Sequence, residues 1–129
     1  MICFGEPKRR KEASEMKRNN RDDFLPSVKE VLAKRAGYRC SNPECRIGTS
    51  GPNSDPEKAT NVGVAAHICA AAEGGPRYDL TMTAKERASA ENGIWLCQCC
   101  AHIIDNDQIY TVELLKEWYI IKIINSYCP

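Results

Sequence analysis

The sequence predicts a small α+β domain in which helices flank two short strands, and three observations predict it. The chain has 129 residues, enough for one domain and too few for two ordinary ones. Two short apolar segments, residues 62–68 and 93–97, have the length and composition of strands. Stretches with helical apolar spacing lie before the first segment and after the second. We therefore divide the chain into an arm, residues 1–22, and one folded domain, residues 23–129.

The first helix of the domain is expected to begin at Pro26 and to end at Gly37. Proline suits the first turn of a helix, and glycine adopts the left-handed conformation that caps a helix end. The side chains expected to face the core from this helix are Val28, Val31, Leu32 and Ala36. Residues 46–61 are rich in glycine, proline, serine and asparagine, so we predict a loop there.

Two more helices and a helical turn are expected in the second half of the chain. Residues 85–90 are predicted to form the turn, and a helix is predicted to follow the second strand as far as about residue 105. The last helix is expected to begin after Thr111, whose side chain can cap it. Trp95 and Trp118 are expected in the core rather than on a binding surface.

Four of the eight cysteines form two close-set pairs. Cys40 and Cys45 enclose four residues, and Cys97 and Cys100 enclose two. Zinc takes four tetrahedral ligands, and two tight turns that each present two thiolates supply them. The pairs therefore predict a zinc-stapled domain with a treble-clef-like knuckle. A structural Zn²⁺ there would supply much of the folding free energy that so small a core lacks.

The remaining thiols leave some alternatives open. Cys99 could replace Cys100 as the fourth ligand, and His102 could substitute for a thiolate. The isolated cysteines are expected to be free thiols: Cys3, Cys69 and Cys128. The start of the chain has no apolar stretch typical of a signal peptide, which favours a reducing, cytoplasmic location and metal ligands over disulfides. A secreted disulfide protein stays the alternative.

Charge is unevenly spread along the chain. Residues 1–21 carry seven Lys or Arg against three Glu, a balance of +4, and since the whole chain carries +1 the remainder carries −3. A basic arm ahead of a slightly acidic body is suited to contact a phosphate backbone, although a solvated leader has the same composition. No apolar run approaches the length that spans a membrane, so a membrane partner is not expected.

Three segments of the chain resemble HNH endonucleases: Ala65–Ile68, Gly74–Tyr78 and Asn92–Cys100. In particular they are similar to the nuclease domain of the HNH–SAVED effectors of cyclic-oligonucleotide (CBASS-type) anti-phage systems. The likeness covers about residues 24–120. It implies a ββα-metal fold and metal-dependent hydrolysis of DNA phosphodiester bonds. Since the sequence has no dedicated element for reading bases in a groove, we expect double-stranded DNA to be cut with little sequence preference.

The same resemblance assigns roles to individual residues. His67 would be the general base that activates water, and Asn92 would fix the imidazole tautomer by holding the loop beside it. Asp105 would be the helix ligand of a catalytic Mg²⁺ or Mn²⁺, which carboxylates suit better than they suit zinc. Arg77 is expected either to clamp a backbone phosphate through its planar guanidinium or to form a structural ion pair.

Two positions depart from the pattern of many HNH nucleases. Ala66 precedes the base where many members have Asp or His, and Ala101 follows Cys100 where many have His. A catalytically degenerate zinc module that binds nucleic acid or a protein therefore stays the alternative to a nuclease. A nuclease of this kind would need control, by a separate sensor subunit or by a homo-oligomer formed through the apolar run at residues 119–124.

Overall fold

Four helices and two small antiparallel sheets make up the part of the chain that the computed structural model describes, residues 22–125, with side chains as far as residue 121. In chain order the elements are α1 (Pro26–Arg35), β1 (Ser50–Pro52), β2 (Ala59–Asn61), β3 (Gly63–His67), α2 (Ala84–Arg87), a 3₁₀ turn (Ala90–Asn92), β4 (Gly93–Cys97), α3 (Gln98–Asn106) and α4 (Val112–Asn125). Residues 1–21 of the predicted arm, and the predicted free thiols of Cys3 and Cys128, lie outside the described residues. An α+β fold is confirmed.

The two predicted strands pair with each other as β3 and β4. They run antiparallel along their whole length, with Gly63 opposite Cys97 and His67 opposite Gly93. Both α1 and α3 pack against this pair. The register places His67 at the end of β3, beside the first residue of β4.

Strand β4 divides the core into two clusters. Ile94 and Leu96 point into one, with Ile104, Leu115 and Trp118, while Trp95 points to the other face. There Trp95 packs with residues from the start of the domain: Phe24, Leu32, Ala33 and Ala36. Because successive strand residues face opposite sides, a strand between two helical layers is apolar at every position. The predicted burial of Trp95 and Trp118 is confirmed.

Helix α1 has the predicted start and the predicted glycine at its end. Gly37 takes φ +62°, the left-handed conformation that closes the helix. The predicted core face was wrong in one residue, because Val31 is 46% exposed and Ala33 is buried instead. Leu32, Ala33 and Ala36 form the helix face that packs against Trp95 of β4, and the Val31 side chain lies outside this buried face.

The predicted loop at residues 46–61 contains a hairpin, so that prediction was wrong. Strands β1 and β2 pair antiparallel, with Ser50 opposite Asn61 and Pro52 opposite Ala59. Their side chains are almost all exposed, and no alternation of apolar and polar residues marks them as strands. Local bonds shape the tip, where the Asn53 side chain accepts from the Asp55 N–H (2.9 Å).

The last helix, α4, begins after its predicted cap. The Thr111 hydroxyl oxygen accepts a hydrogen bond from the Leu114 N–H at 3.2 Å. One side of α4 buries Leu115 and Trp118, whereas Ile120 and Ile121 are exposed. Of the helices described, none has the length and apolarity needed to cross a bilayer.

Candidate metal centre and active site

The four paired cysteines converge at one point of the fold. Cys40 and Cys45 flank the turn after α1, Cys97 ends β4, and Cys100 lies in the first turn of α3. Their sulfur atoms all lie within 4.8 Å of one another, with Cys45 Sγ 3.9 Å from Cys97 Sγ. Tetrahedral zinc with Zn–S bonds of about 2.3 Å places its sulfur ligands about 3.8 Å apart. These residues therefore fit a zinc ion and could bind one.

The alternative ligands at the second pair do not join the cluster. Cys99 and His102 are exposed and lie outside the cluster, whereas the sulfur atom of Cys100, a buried residue, lies within it. Because α3 begins directly after Cys97, residues three positions apart lie on the same side of its first turn, and Cys99 between them faces away. The helix thus selects Cys100.

The surroundings of the cluster favour thiolates at some sulfur atoms and oppose them at others. Burial raises the pKa of the Cys40 and Cys100 thiols. Burial also opposes ionisation of Cys97, but the Cys100 N–H and the neighbouring thiols lower its pKa overall. The Asn42 side-chain amide donates to Cys100 Sγ (3.5 Å), and the Cys100 N–H donates to Cys97 Sγ (3.3 Å). Since metal ligation needs thiolates, loading the site with zinc must release protons.

His67 is held by the segment that enters the domain. Its Nε2 lies 3.0 Å from the carbonyl oxygen of Asp22. A carbonyl can only accept, so in the neutral imidazole Nε2 carries the proton and Nδ1 carries the lone pair. The Phe24 ring stacks on the imidazole, with ring centroids 3.9 Å apart and an interplanar angle of 8°. The ring is therefore fixed both in plane and in tautomer.

Asn92 is buried, and its side chain holds backbone groups of two separate segments of the chain. Its Oδ1 accepts from the Cys69 N–H, and its Nδ2 donates to the carbonyls of Cys69 and Arg87, each bond being 2.9 Å long. Cys69 lies two residues after His67, so Asn92 holds the loop beside the imidazole. That Asn92 thereby serves catalysis stays a prediction.

Arg77 joins β3 to α3. Its guanidinium donates to Asp105 Oδ1 (3.0 Å), to the His67 carbonyl (3.3 Å) and to the Ile68 carbonyl (2.6 Å). A further bond reaches the Ile104 carbonyl at 2.8 Å. The side chain is 10% exposed, while that of Asp105 is 49% exposed. The geometry is that of the structural ion pair, one of the two roles left open above, and contact with a phosphate stays a prediction.

Asn92, Arg77 and Asp105 all line a cleft of about 1350 Å³, which we call the acidic cleft. His67 does not line the acidic cleft. Arg77, which does, donates a hydrogen bond to the His67 carbonyl. Against two basic side chains, Arg77 and Lys116, the cleft presents six acidic ones: Asp79, Glu86, Glu91, Asp105, Asp107 and Glu113. Hydrogen bonds from the Thr81 side chain and N–H lower the pKa of Asp79. Such a cleft attracts cations and repels bare phosphate.

The sequence-predicted site residues thus fall into two groups. The four cysteines form a ligand cluster, and among the described residues they are the single set of three or more His, Cys, Asp or Glu side chains close enough to share a metal ion. His67 and Asp105 are linked through Arg77 rather than by their own side chains. Comparison with models of known protein families and with curated proteins found no match.

Sequence reasoning missed Asp22 and Phe24, which contact the His67 ring, and Arg87, which pairs with Asp22. Asp22 lies 45 residues from His67 and 65 from Arg87, and no spacing rule relates residues so far apart. A weak signal was present in Phe24, a large aromatic residue just before the helix, which needs a partner to pack against.

Proposed function

We propose that the protein is a metal-dependent endonuclease of the HNH type that hydrolyses DNA phosphodiester bonds with little sequence preference. The observation that carries the proposal is the state of His67, an imidazole at the end of a β-strand whose Nε2 is committed to a carbonyl 3.0 Å away. In that tautomer Nδ1 is the nitrogen that can take a proton. A strand–strand–helix unit braced by a candidate zinc cluster supports the same proposal, since it carries His67 and Asp105 on packed elements.

In the proposed reaction His67 acts as the base. Its Nδ1 takes a proton from a water molecule as the water oxygen bonds to phosphorus, the bond from phosphorus to the leaving sugar oxygen breaks, and that oxygen takes a proton from solvent. The Asp22 carbonyl stabilises the imidazolium that forms, because it already accepts from Nε2. Asn92 keeps the loop after His67 in place.

A divalent cation, Mg²⁺ or Mn²⁺, would neutralise charge at the phosphate. Asp105 is the residue proposed to hold it. Arg77 donates to its Oδ1, and the carboxylate nevertheless remains half-exposed to solvent. Mg²⁺ is often bound by one or two carboxylates, with waters and substrate phosphates completing its shell. The negative charge of the acidic cleft would favour cation entry, and the cation would in turn let a phosphate approach.

A second candidate is a zinc module that binds nucleic acid or a protein without cutting. It is favoured by the absence, among the described side chains, of a second group of three metal-ligating residues near His67. Ala66 and Ala101 fit this reading too, since both stand where many HNH nucleases have ligands. The basic arm would contribute DNA affinity in either case. The nuclease proposal alone includes control by a sensor subunit or a second copy and a role in anti-phage defence.

The deciding experiment incubates zinc-loaded protein with supercoiled plasmid in EDTA, in Mg²⁺ and in Mn²⁺. We expect nicking that needs the added cation and falls at least ~100-fold in His67→Ala, because general-base catalysis contributes about that much or more. His102→Ala is the matched control, since His102 is the other histidine of the chain and is exposed on α3. Cleavage by His67→Ala at the wild-type rate, or none by folded wild type with any cation, would favour the binding module.

A further inference from the structure

We infer that Asp22 and Arg87 are positioning residues for His67: their ion pair holds the Asp22 carbonyl on Nε2 and so keeps Nδ1 as the proton-accepting nitrogen. The inference rests on the proposed role of His67 as the base. Neither residue would touch the substrate. Both would act through the orientation and tautomer of the imidazole.

Asp22 is fixed from three directions. Its N–H donates to the Ala71 carbonyl at 3.0 Å, its own carbonyl lies 3.0 Å from His67 Nε2, and its carboxylate accepts from Arg87 Nη1 at 3.1 Å. Two residues later the Phe24 ring lies flat on the imidazole. A backbone carbonyl so constrained can select one tautomer, because it cannot turn away when Nε2 loses its proton.

Arg87 is itself held by several contacts, which suit it to anchor Asp22. Its side chain is only 11% exposed, its guanidinium carbon lies 4.7 Å from the centre of the Tyr78 ring, and Nη2 donates to the Asp79 carbonyl at 3.2 Å. The Arg87 carbonyl accepts from Asn92 Nδ2 at 2.9 Å. Contacts therefore run from Asn92 through Arg87 and Asp22 to His67.

The surroundings distinguish this ion pair from an ordinary surface pair. Side-chain exposure is 11% at Arg87 and 28% at Asp22, against 65% and 62% at the Lys34–Glu30 pair on α1. Exposed pairs contribute little because solvent screens them and both side chains lose freedom. Breaking the more buried pair leaves Arg87 without its carboxylate partner and frees the segment that carries the carbonyl.

The test uses ¹⁵N NMR of the imidazole in zinc-loaded, full-length protein. Nitrogen shifts assign the protonated atom, and a hydrogen-bonded Nε2–H exchanges slowly enough to be observed. Exposed His102 serves as the internal reference, for which we expect no such signal. We expect wild-type His67 to be protonated at Nε2 with an observable Nε2–H. If His67 of the wild-type protein is protonated at Nδ1 instead, the inference is wrong, and no variant is needed to show it.

Two variants and a control then test the ion pair. Asp22→Ala should abolish the Nε2–H signal, and Asp22→Asn should retain it, because an amide oxygen still accepts from Arg87. Glu30→Ala removes the exposed pair on α1 and should leave the signal unchanged. An Nε2–H that persists in Asp22→Ala would overturn the inference, and so would its loss in Glu30→Ala.

Kinetics provide the second readout and separate this inference from the proposed function. In the cleavage assay Asp22→Ala should lower kcat about tenfold, roughly the value of one hydrogen bond, with KM unchanged and with recovery in Asp22→Asn. A kcat unchanged in Asp22→Ala would count against a positioning role. Absence of cleavage by wild type would overturn the nuclease proposal alone, because the tautomer and its dependence on Asp22 are read without turnover.

Discussion

The buried side chain of Asn92 holds together the backbone around the candidate active site. Asn92 is 4% exposed, and its amide bonds with one N–H and two carbonyls across two segments of the chain. Asn suits the position because it is both donor and acceptor, and a buried group that loses its partner costs about 1–3 kcal/mol. Asn92 thus contributes to folding whatever chemistry takes place beside it.

We predict that Asn92→Asp lowers the free energy of unfolding by about 3 kcal/mol at neutral pH. The substitution keeps the acceptor for the Cys69 N–H but turns a carboxylate oxygen toward the carbonyls of Cys69 and Arg87. Asn53→Asp, on the exposed hairpin tip, is the control and should change stability by no more than about 0.5 kcal/mol. Urea unfolding measures both, and equal effects would contradict the structural role of Asn92.

At the scale of elements, β3 and β4 form the unit on which the site is built. Gly63 lies opposite Cys97, and an added Cβ there would come within 2.3 Å of the Trp95 ring. The indole in turn donates to the Thr49 hydroxyl at 2.9 Å, so the ring cannot move aside freely. The absence of a side chain at Gly63 therefore lets the tryptophan cover the strand.

Gly63→Ala should lower the free energy of unfolding by about 1–3 kcal/mol, the usual cost of forcing an extra methyl group into a packed site. Gly51→Ala in β1 is the matched control, because nothing lies within 4 Å of its added Cβ. That change should be neutral or slightly stabilising, since alanine restricts the unfolded chain. Denaturation followed by tryptophan fluorescence reports both. A Gly63→Ala protein as stable as Gly51→Ala would show that Trp95 can shift.

The elements also show what sequence could and could not predict. Strand β4 was predictable because a short apolar run indicates a buried strand. Helix α1 was predictable because a proline marks its first turn and a glycine marks its end. The β1–β2 hairpin was not, since its side chains are exposed and no apolar pattern results. The cysteine cluster followed from spacing. The Asp22–Arg87 pair joins residues 65 apart, and only the folded chain brings them together.

At the scale of the whole molecule, the candidate zinc cluster joins parts that local structure leaves separate. Cys40 and Cys45 belong to the turn after α1, whereas Cys97 and Cys100 belong to β4 and α3. A metal ion bound by all four would tie the turn after α1 to β4 and α3, and its binding energy would be folding energy because the unfolded chain has no preformed site. The acidic cleft and His67 lie on elements held by that connection.

We predict that Cys45→Ser loses bound zinc and stability together, whereas Cys99→Ser loses neither. A hundred-fold weaker zinc affinity removes about 2.7 kcal/mol of stability when zinc is in excess. Cys99 is exposed outside the cluster, so its substitution controls for the loss of a thiol. Because zinc-bound sulfur atoms have given up protons that the unfolded chain keeps, the contribution of zinc should grow as the pH rises and should shrink in acid. Zinc content by atomic absorption and thermal unfolding at two pH values measure both effects. Equal zinc content in the two variants would mean that the four-cysteine cluster is not the zinc site.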